Sequence, residues 1–196
     1  MYKPYDVLCK FSDAEGRPTL KDYVDVPQQV YPAGRLDKDS EGLVLLTDDG
    51  RLAHQVTHPR HKLPKTYLVQ VEGIPDEAAL LALRRGVDIP DKRESGGVPP
   101  VHVLAGEVAL LSAEPVLPSR SKPVRPYGDK AWLRLVIQEG KKRQVRHMTA
   151  AVGYPTLRLV RVAIGPLTLG DLQPGQWRDV TRREMDQLRA ALTIRS

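Results

Sequence analysis

The sequence predicts an α+β fold built on a mixed, largely antiparallel sheet with flanking helices. Segments with the two-residue alternation of strands are interspersed with segments of helical spacing, without the regular strand–helix–strand repeat of a parallel sheet. The 196 residues are enough for one substantial core or for two small lobes that share one. Hydrophobic residues make up 41% of the chain and charged residues 28%, which is typical of a globular protein.

The first half of the chain is expected to alternate short strands with short helices. Apolar and β-branched runs bounded by Gly, Pro or Asp indicate the strands. A capping Thr or Asp that is followed by an acid, or by apolar residues at helical spacing, indicates the start of a helix. In chain order we expect a strand at 7–11, a helix start at 19–22, a turn at 32–34, a buried strand at 42–47, a turn at 48–50, a helix at 51–57, a strand at 67–71 and a helix at 76–85.

The second half contains a proline-rich stretch. Residues 90–126 hold seven of the 17 prolines and the pair Gly96-Gly97, so they cannot form one long element. We expect a loop-rich excursion there, with one strand near 108–111. The remaining expected elements are a strand at 132–138, a helix at 143–152 ended by Gly153, strands at 156–164 and 177–180, and a last helix that a capping box opens at 181–184 and that runs to about residue 192.

The positive charge is concentrated in one segment. Residues 120–161 contain eleven Lys or Arg and two acids, a net charge of +9, whereas the whole chain carries +6. The rest of the chain is therefore slightly acidic. This distribution indicates a surface for a polyanion such as a nucleic acid. On charge alone, a solvated charged face explains it equally well.

The composition also bears on the compartment. Cys9 is the only cysteine, so no intramolecular disulfide can form, which is typical of a reducing compartment. The N-terminus has no apolar stretch typical of a signal peptide, and no apolar run approaches the roughly 20 residues of a membrane span. We therefore expect a cytoplasmic protein that contacts no membrane, with a monomer as the default.

A charged loop precedes the buried strand at 42–47. Gly34 and Gly42 bracket three acids, Asp37, Asp39 and Glu41, together with the two basic residues Arg35 and Lys38. Such a constrained loop would present carboxylates at a strand edge. Taken alone, the pattern also fits an ordinary polar turn, and chemistry alone does not choose among the three acids.

Two further tracts are of interest. Residues 139–148 form a basic turn that feeds a basic helix, and a helix start with basic side chains favours anions. Lys65-Thr66-Tyr67 opens a strand after further basic residues. A solvated helix start and a half-buried strand tyrosine are the ordinary interpretations of these two tracts.

Together and in this order, the tracts resemble a known family. They are Lys3–Cys9, Tyr31–Asp37 with its continuation to Gly50, Lys65–Tyr67, Glu139–Arg146 and Gly153–Leu159. The sequence is similar to the pseudouridine synthases of the ribosomal small-subunit uridine synthase A class, and within it most similar to the branch of large-subunit rRNA pseudouridine synthases E. The likeness covers nearly the whole chain and is weakest in the proline-rich region.

The resemblance implies roles for particular side chains. Asp37 matches the family's essential aspartate, and Tyr67 the tyrosine that packs against the target base. Lys141 matches the basic residue that pairs with the aspartate. Arg35 is expected to displace the base or hold the RNA, and Leu159 falls in the apolar motif beneath the site.

The resemblance also implies an architecture and a wider binding surface. Residues Arg143, Gln144 and Arg146 of the basic helix are expected to contact RNA in a central cleft. One catalytic domain of two lobes is expected, at approximately 1–66 with 153–180 and at 67–152. No accessory RNA-binding domain is expected before it.

The implied activity is the isomerisation of uridine to pseudouridine in ribosomal RNA, most of all 23S rRNA of the large subunit, free or in an assembling particle. The target uridine is flipped out, and an ionised carboxylate attacks C1′ or C6 or deprotonates the ribose. No cofactor is expected, because the reaction requires neither redox chemistry nor energy input.

Three alternatives remain open from the residues. A non-catalytic rRNA-binding or ribosome-assembly protein would explain the charge. A metal-dependent enzyme would use His54, His58 and His61, although neighbouring basic residues disfavour a cation there and no metal site is expected. A phosphodiesterase would use the acids of the charged loop with Mg²⁺.

Overall fold

The computed structural model describes residues 1–90, 99–124 and 128–193. Eleven strands and four α-helices occur in these residues. The strands are β1 (Tyr2–Lys3), β2 (Tyr31–Ala33), β3 (Glu41–Leu43), β4 (Leu45–Thr47), β5 (Lys65–Glu72), β6 (Val87–Ile89), β7 (Val101–Val103), β8 (Glu107–Leu110), β9 (Lys130–Ile137), β10 (Thr156–Ile164) and β11 (Leu167–Thr168). The helices are α1 (Gly50–Thr57), α2 (Glu77–Arg85), α3 (Gln144–Ala151) and α4 (Arg182–Thr193), and two 3₁₀ turns lie at Leu20–Asp22 and Pro59–His61.

A seven-stranded sheet forms the centre of the molecule. Its strand order is β1-β3-β10-β5-β9-β8, with β11 paired to β10. Strands β3 and β10 run parallel, and the other neighbours in this sheet run antiparallel. Separate two-stranded sheets are formed by β2 with β4 and by β6 with β7. The predicted α+β class with a mixed, largely antiparallel sheet is therefore confirmed.

The sheet continues through both predicted lobes, because β10 of the first lobe pairs with β5, which lies mostly in the second. One apolar cluster contains buried side chains of α2 and α3, and a second contains those of α1 and α4. The lobe boundaries remain a prediction. In the part of the chain described here, no helix is long and apolar enough to cross a membrane.

The helix starts follow the predicted capping residues. The Asp49 carboxylate accepts hydrogen bonds from the first backbone N–H groups of α1, and Asp76 accepts one at the start of α2. The Thr181 hydroxyl accepts from the N–H of Glu184, and the Glu184 carboxylate accepts from the N–H of Thr181. These side chains accept hydrogen bonds from N–H groups that have no partner within the helix. The starts of these helices could therefore be predicted from the sequence.

Two predicted strands are wrong. Residues 7–11 form only a single bridge, between Leu8 and Thr19, because the partner segment enters the 3₁₀ turn at Leu20–Asp22 directly after Thr19. Residues 177–180 form no strand: they pair with no strand of the described chain, and Trp177 is exposed.

Two further predictions missed a change of sheet. The predicted turn at 32–34 lies largely in strand β2, which pairs with β4. The predicted strand at 42–47 is divided at Val44, whose N–H donates to the Met1 carbonyl, so β3 and β4 belong to different sheets. The hairpin of β6 and β7 was not predicted, and the pair Gly96-Gly97 lies outside the described residues.

Candidate active site

A cavity of about 650 Å³ lies beside the central strands. Tyr67 of β5 is opposite Arg161 of β10 in the sheet, and alternate residues of each strand share a face. Lys65, Tyr67, Leu159 and Arg161 all line the cavity and form its floor. Its walls are the charged loop at 33–40 and the basic turn with the start of α3.

The cavity brings together seven of the eight predicted site residues, although they are far apart in sequence. They are Arg35, Asp37, Tyr67, Lys141, Arg143, Gln144 and Leu159. The fold therefore places the charged loop, the strand that carries Tyr67 and the basic turn around one cavity. Net charge and motif spacing alone could not show this arrangement. Arg146 is the predicted site residue that does not line it.

The three acids of the charged loop have different surroundings. Glu41 is buried and its two carboxylate oxygens accept hydrogen bonds from Arg158 at 2.9 and 2.8 Å. Asp39 is held by Arg143 through two hydrogen bonds of 2.9 Å. Of the three, only Asp37 lines the cavity, and no residue of the described chain forms a hydrogen bond or ion pair with its carboxylate.

The Asp39 carboxylate is ionised by its neighbours. Burial acts to raise its pKa, but the guanidinium groups of Arg143 and Arg146 outweigh burial and hold this pKa below its ordinary value. A carboxylate bonded in this way is charged and already partnered. It is therefore poorly placed to act as a nucleophile.

Arg146 links helix α3 to the charged loop. Its Nη2 donates to the Asp39 carbonyl at 2.7 Å, its Nη1 donates to the Thr156 carbonyl at 3.2 Å, and its Nε lies 3.3 Å from the Asp39 carboxylate. These donors face protein groups and the side chain is 12% exposed, so the contact of Arg146 with RNA remains a prediction.

Gln144 shapes the basic turn. Its side chain is buried, its Oε1 accepts from the backbone N–H of Lys141 at 2.9 Å, and its Nε2 donates to the Glu139 carboxylate at 3.1 Å. The turn precedes Arg143, which adopts a left-handed φ of 54° at the start of α3. Gln144 thus fixes the position of the cavity wall that carries Lys141.

The predicted ion pair between Lys141 and Asp37 is not formed. Both residues line the cavity, but no ion pair joins them in the described structure. Asp37 instead interacts electrostatically with Lys3, Arg143 and Arg146. The cations nearest to Asp37 in charge interaction are therefore these three, and Lys141 shares only the cavity with it.

Two buried cations in the cavity floor were not assigned from sequence. Arg161 is 4% exposed, donates from Nε to the Leu43 carbonyl at 2.8 Å and from Nη2 to the Gly34 carbonyl at 3.3 Å. Lys65 is 9% exposed and lines the cavity two residues before Tyr67. The two-residue spacing was a usable signal for Lys65, whereas Arg161 depends on the register between β10 and β5.

The three histidines considered as metal ligands lie together but outside the cavity. The ring centroids of His54 and His58 are 4.8 Å apart, and those of His58 and His61 are 6.1 Å apart. None of the three lines the cavity that contains Asp37.

Comparisons with known proteins identify the family of this chain. The sequence profile of the family described as RNA pseudouridylate synthase matches residues 1–151. The chain is 56% identical over 180 residues to ribosomal large subunit pseudouridine synthase E of Xanthomonas campestris, covering 90% of this chain and 91% of that protein. It is 49% identical over 180 residues to the protein of the same name from Vibrio parahaemolyticus, covering 91% and 71%.

A solved structure is also similar. A crystal structure of a pseudouridylate synthase superposes with a TM-score of 0.73 at 32% sequence identity, covering 96% of this chain and 71% of that one. The fold, the profile match over most of the chain and the level of identity all indicate the same family. The chain belongs to the RNA pseudouridylate synthase family.

Proposed function

We propose that this protein isomerises uridine to pseudouridine in ribosomal RNA of the large subunit, with Asp37 as the reacting carboxylate. The observation that carries the proposal is the difference among the three acids of the charged loop. Asp39 and Glu41 are bonded to arginines, whereas Asp37 lines a cavity of about 650 Å³ without such a partner. The names of the similar proteins support large-subunit rRNA as the substrate.

The cavity suits a flipped-out nucleotide. Its volume lies within the range of sites that hold small molecules, and Tyr67 and Leu159 give its floor an aromatic and an apolar surface. A base that has left the helical stack can pack against the Tyr67 ring. Arg35 is exposed at the edge of the cavity, where it can displace the base or contact a phosphate.

The reaction breaks the C1′–N1 bond and forms a C1′–C5 bond with the same uracil. The ionised Asp37 either attacks C1′ or C6 or removes a proton from the ribose. Lys141 and Arg143 line the same cavity and supply positive charge there. Because atoms and oxidation state are conserved, the proposed reaction uses no cofactor. We further propose that the protein acts as a monomer in the cytoplasm.

The test is a pseudouridine map of large-subunit rRNA from cells that lack the gene. Carbodiimide labelling followed by primer extension reports each pseudouridine as a stop. Cells are complemented with wild type, Asp37→Asn or, as a matched control, Asp171→Asn, which changes an exposed acid outside the cavity. We expect one stop to be lost, and to be restored by wild type and by Asp171→Asn but not by Asp37→Asn.

The same experiment separates the remaining possibilities. An unchanged map in both ribosomal RNAs would contradict the proposed substrate and favour a non-catalytic role in ribosome assembly. An active Asp37→Asn variant beside an inactive Asp39→Asn variant would show that the wrong acid had been assigned. Binding of RNA by the purified Asp37→Asn variant shows that its inactivity does not come from misfolding.

A further inference from the structure

Two lysines of this protein are buried, and their ammonium groups are bonded very differently. Lys3 is fully buried, and its Nζ donates to the carbonyls of Pro4 at 2.8 Å, Val7 at 2.7 Å and Lys38 at 3.2 Å. Its three donors are therefore all used. The Lys65 Nζ donates to one carbonyl, that of Gln138, at a long distance of 3.4 Å.

The Lys65 charge lacks a counter-ion in the described chain. No carboxylate forms an ion pair with it, and the charged group that acts on it most directly is another cation, Arg161. Burial, with a smaller contribution from Arg161, lowers the pKa of Lys65 to about 8. A buried cation that is hydrogen-bonded so weakly is costly unless something else approaches it. Since Lys65 lines the cavity, a ligand there is in a position to do so.

The position of Lys65 specifies which part of the ligand it would meet. Lys65 and Tyr67 are two residues apart on β5, so their side chains leave the same face of the strand next to each other. A uracil packed against the Tyr67 ring therefore has one edge toward the Lys65 ammonium. A backbone phosphate, by contrast, would remain nearer the cavity mouth with Arg35 and Lys142, which are exposed.

We propose that the Lys65 ammonium stabilises the negative charge on the uracil ring after the C1′–N1 bond breaks. This assignment rests on the proposed pseudouridine synthase activity and adds a catalytic residue to it. The substrate uracil is neutral and its detached form is an anion. Lys65 therefore interacts more strongly with the cleaved state than with the ground state, which is the condition for lowering the barrier.

The charge balance of the step is simple. When the C1′–N1 bond breaks, its electron pair leaves with uracil and is spread over N1 and O2. The positive charge of Lys65 attracts this negative charge. The ribose is either captured by the Asp37 carboxylate at C1′ or loses a proton to it. C5 then bonds to C1′; on the first route this displaces the Asp37 carboxylate, and on the second the proton returns from Asp37 to the ribose. The C5 hydrogen is lost as a proton, and N1 gains a proton. The net change is an isomerisation.

The first experiment compares three lysine variants on an rRNA fragment that carries the mapped uridine. Lys65→Met removes the charge and Lys65→Arg keeps it. Lys130→Met is the matched control: it removes the charge of an exposed lysine on a strand, outside the cavity. Single-turnover rates are measured at saturating enzyme, together with RNA affinity and thermal unfolding. We expect Lys65→Met to lose about 10²-fold in rate with little change in affinity, and Lys130→Met to keep the wild-type rate.

The charge-retaining variant has its own expected outcome. Lys65→Arg should recover most of the rate that Lys65→Met loses, since a guanidinium supplies the same positive charge. If Lys65→Met does not fold, Lys65→Gln, which can still donate to the Gln138 carbonyl, replaces it in the same comparison.

A second experiment asks whether the charge acts on the leaving group. A fragment with 5-fluorouridine at the target position has a more acidic base, whose anion needs less help from a cation. If Lys65 acts as proposed, the fold loss caused by Lys65→Met is smaller for cleavage of 5-fluorouridine than for uridine. A lysine that only held the cavity in shape would give the same loss with both.

The outcomes separate this proposal from the proposed function. If the wild-type protein makes no pseudouridine, the activity itself was wrongly assigned. If the wild type is active and Lys65→Met reacts as fast, or if its loss is equal for the two bases, the role of Lys65 is overturned while the activity of the family stands.

Discussion

Asp37, Asp39 and Glu41 alternate with other residues along one short segment, yet each carboxylate has different surroundings. Glu41 lies in a strand with its side chain buried against Arg158, and Asp39 joins the loop to α3 through Arg143 and Arg146. The two bonded acids hold the loop in the conformation that leaves Asp37 at the cavity. Removing a bonded acid should therefore affect stability first, whereas removing Asp37 should affect turnover alone.

The variant Asp39→Asn tests this division at the residue scale. An amide cannot accept two charge-assisted hydrogen bonds, so we expect the free energy of unfolding at pH 7 to fall by about 1–2 kcal/mol. The estimate is kept small because the Asp39 and Arg143 side chains are 34% and 38% exposed. Urea denaturation of the variant and the wild type measures the difference.

The loss of unfolding free energy caused by Asp39→Asn should depend on pH in one direction. The pKa of Asp39 is lowered in the folded protein, so its ion pairs contribute stability at pH values above the unfolded pKa of about 4. The contribution should disappear as the pH falls through the lower, folded pKa. If wild type and Asp39→Asn differed in free energy of unfolding by the same amount at every pH, including values below the folded pKa of Asp39, the amide would act by a steric effect.

At the scale of elements, the charged loop depends on the contact between β3 and β10. Gly42 of β3 adopts a φ of 104°, and a Cβ atom there would lie 2.3 Å from the Arg161 carbonyl oxygen of β10. Glycine is required both by the backbone conformation and by the close approach of the neighbouring strand. The same contact places Arg161 in the cavity floor.

Gly42→Ala should therefore be severely destabilising. We expect a loss of about 3–5 kcal/mol, because backbone strain and overpacking combine. Gly153→Ala is the matched control: Gly153 follows α3 with a φ of 91° but has no atom within 4 Å of its Cβ position, so we expect about 1 kcal/mol. Chemical denaturation of both variants tests this, and equal losses would rule out the role of the strand contact.

At the scale of the whole molecule, the basic segment is only partly a surface for RNA. Several of its arginines form ion pairs with acids of the protein. Arg134 pairs with Glu107, Arg143 and Arg146 with Asp39, and Arg158 with Glu41. The net charge of +9 counted along the sequence therefore overstates the number of phosphates that this segment can neutralise.

The salt dependence of RNA binding should show this difference. Nine phosphate contacts would give a slope of log affinity against log salt of about −6 to −8, and we expect a shallower slope. Lys142→Met, at the cavity mouth, should reduce the magnitude of this slope by about 0.7–0.9. Lys130→Met, away from the cavity, should leave the slope unchanged. Fluorescence anisotropy across a salt series measures the slopes, and equal effects of the two variants would contradict the assignment.

The accuracy of the predicted elements depended on the range of the interactions that form them. Helices α1, α2 and α4 and strands β5, β9 and β10 were predicted well, because capping residues and alternation are local signals. The strands predicted at 7–11 and 177–180 failed because apolar alternation is not enough when no partner strand lies alongside. Strand β2 was missed for the converse reason, since its pairing with β4 outweighs the turn signal of Pro32.

The sequence by itself determined the family, the identity of Asp37 and Tyr67 as the residues to examine, and most of the elements that carry them. These depend on residue type and on spacing along the chain. Only the tertiary structure decided that Asp39 and Glu41 are bonded, that Arg146 faces the protein, and that Lys65 lines the cavity almost unpartnered. Burial and ion pairing depend on strand register and on contacts between residues more than a hundred positions apart, which local sequence patterns do not encode.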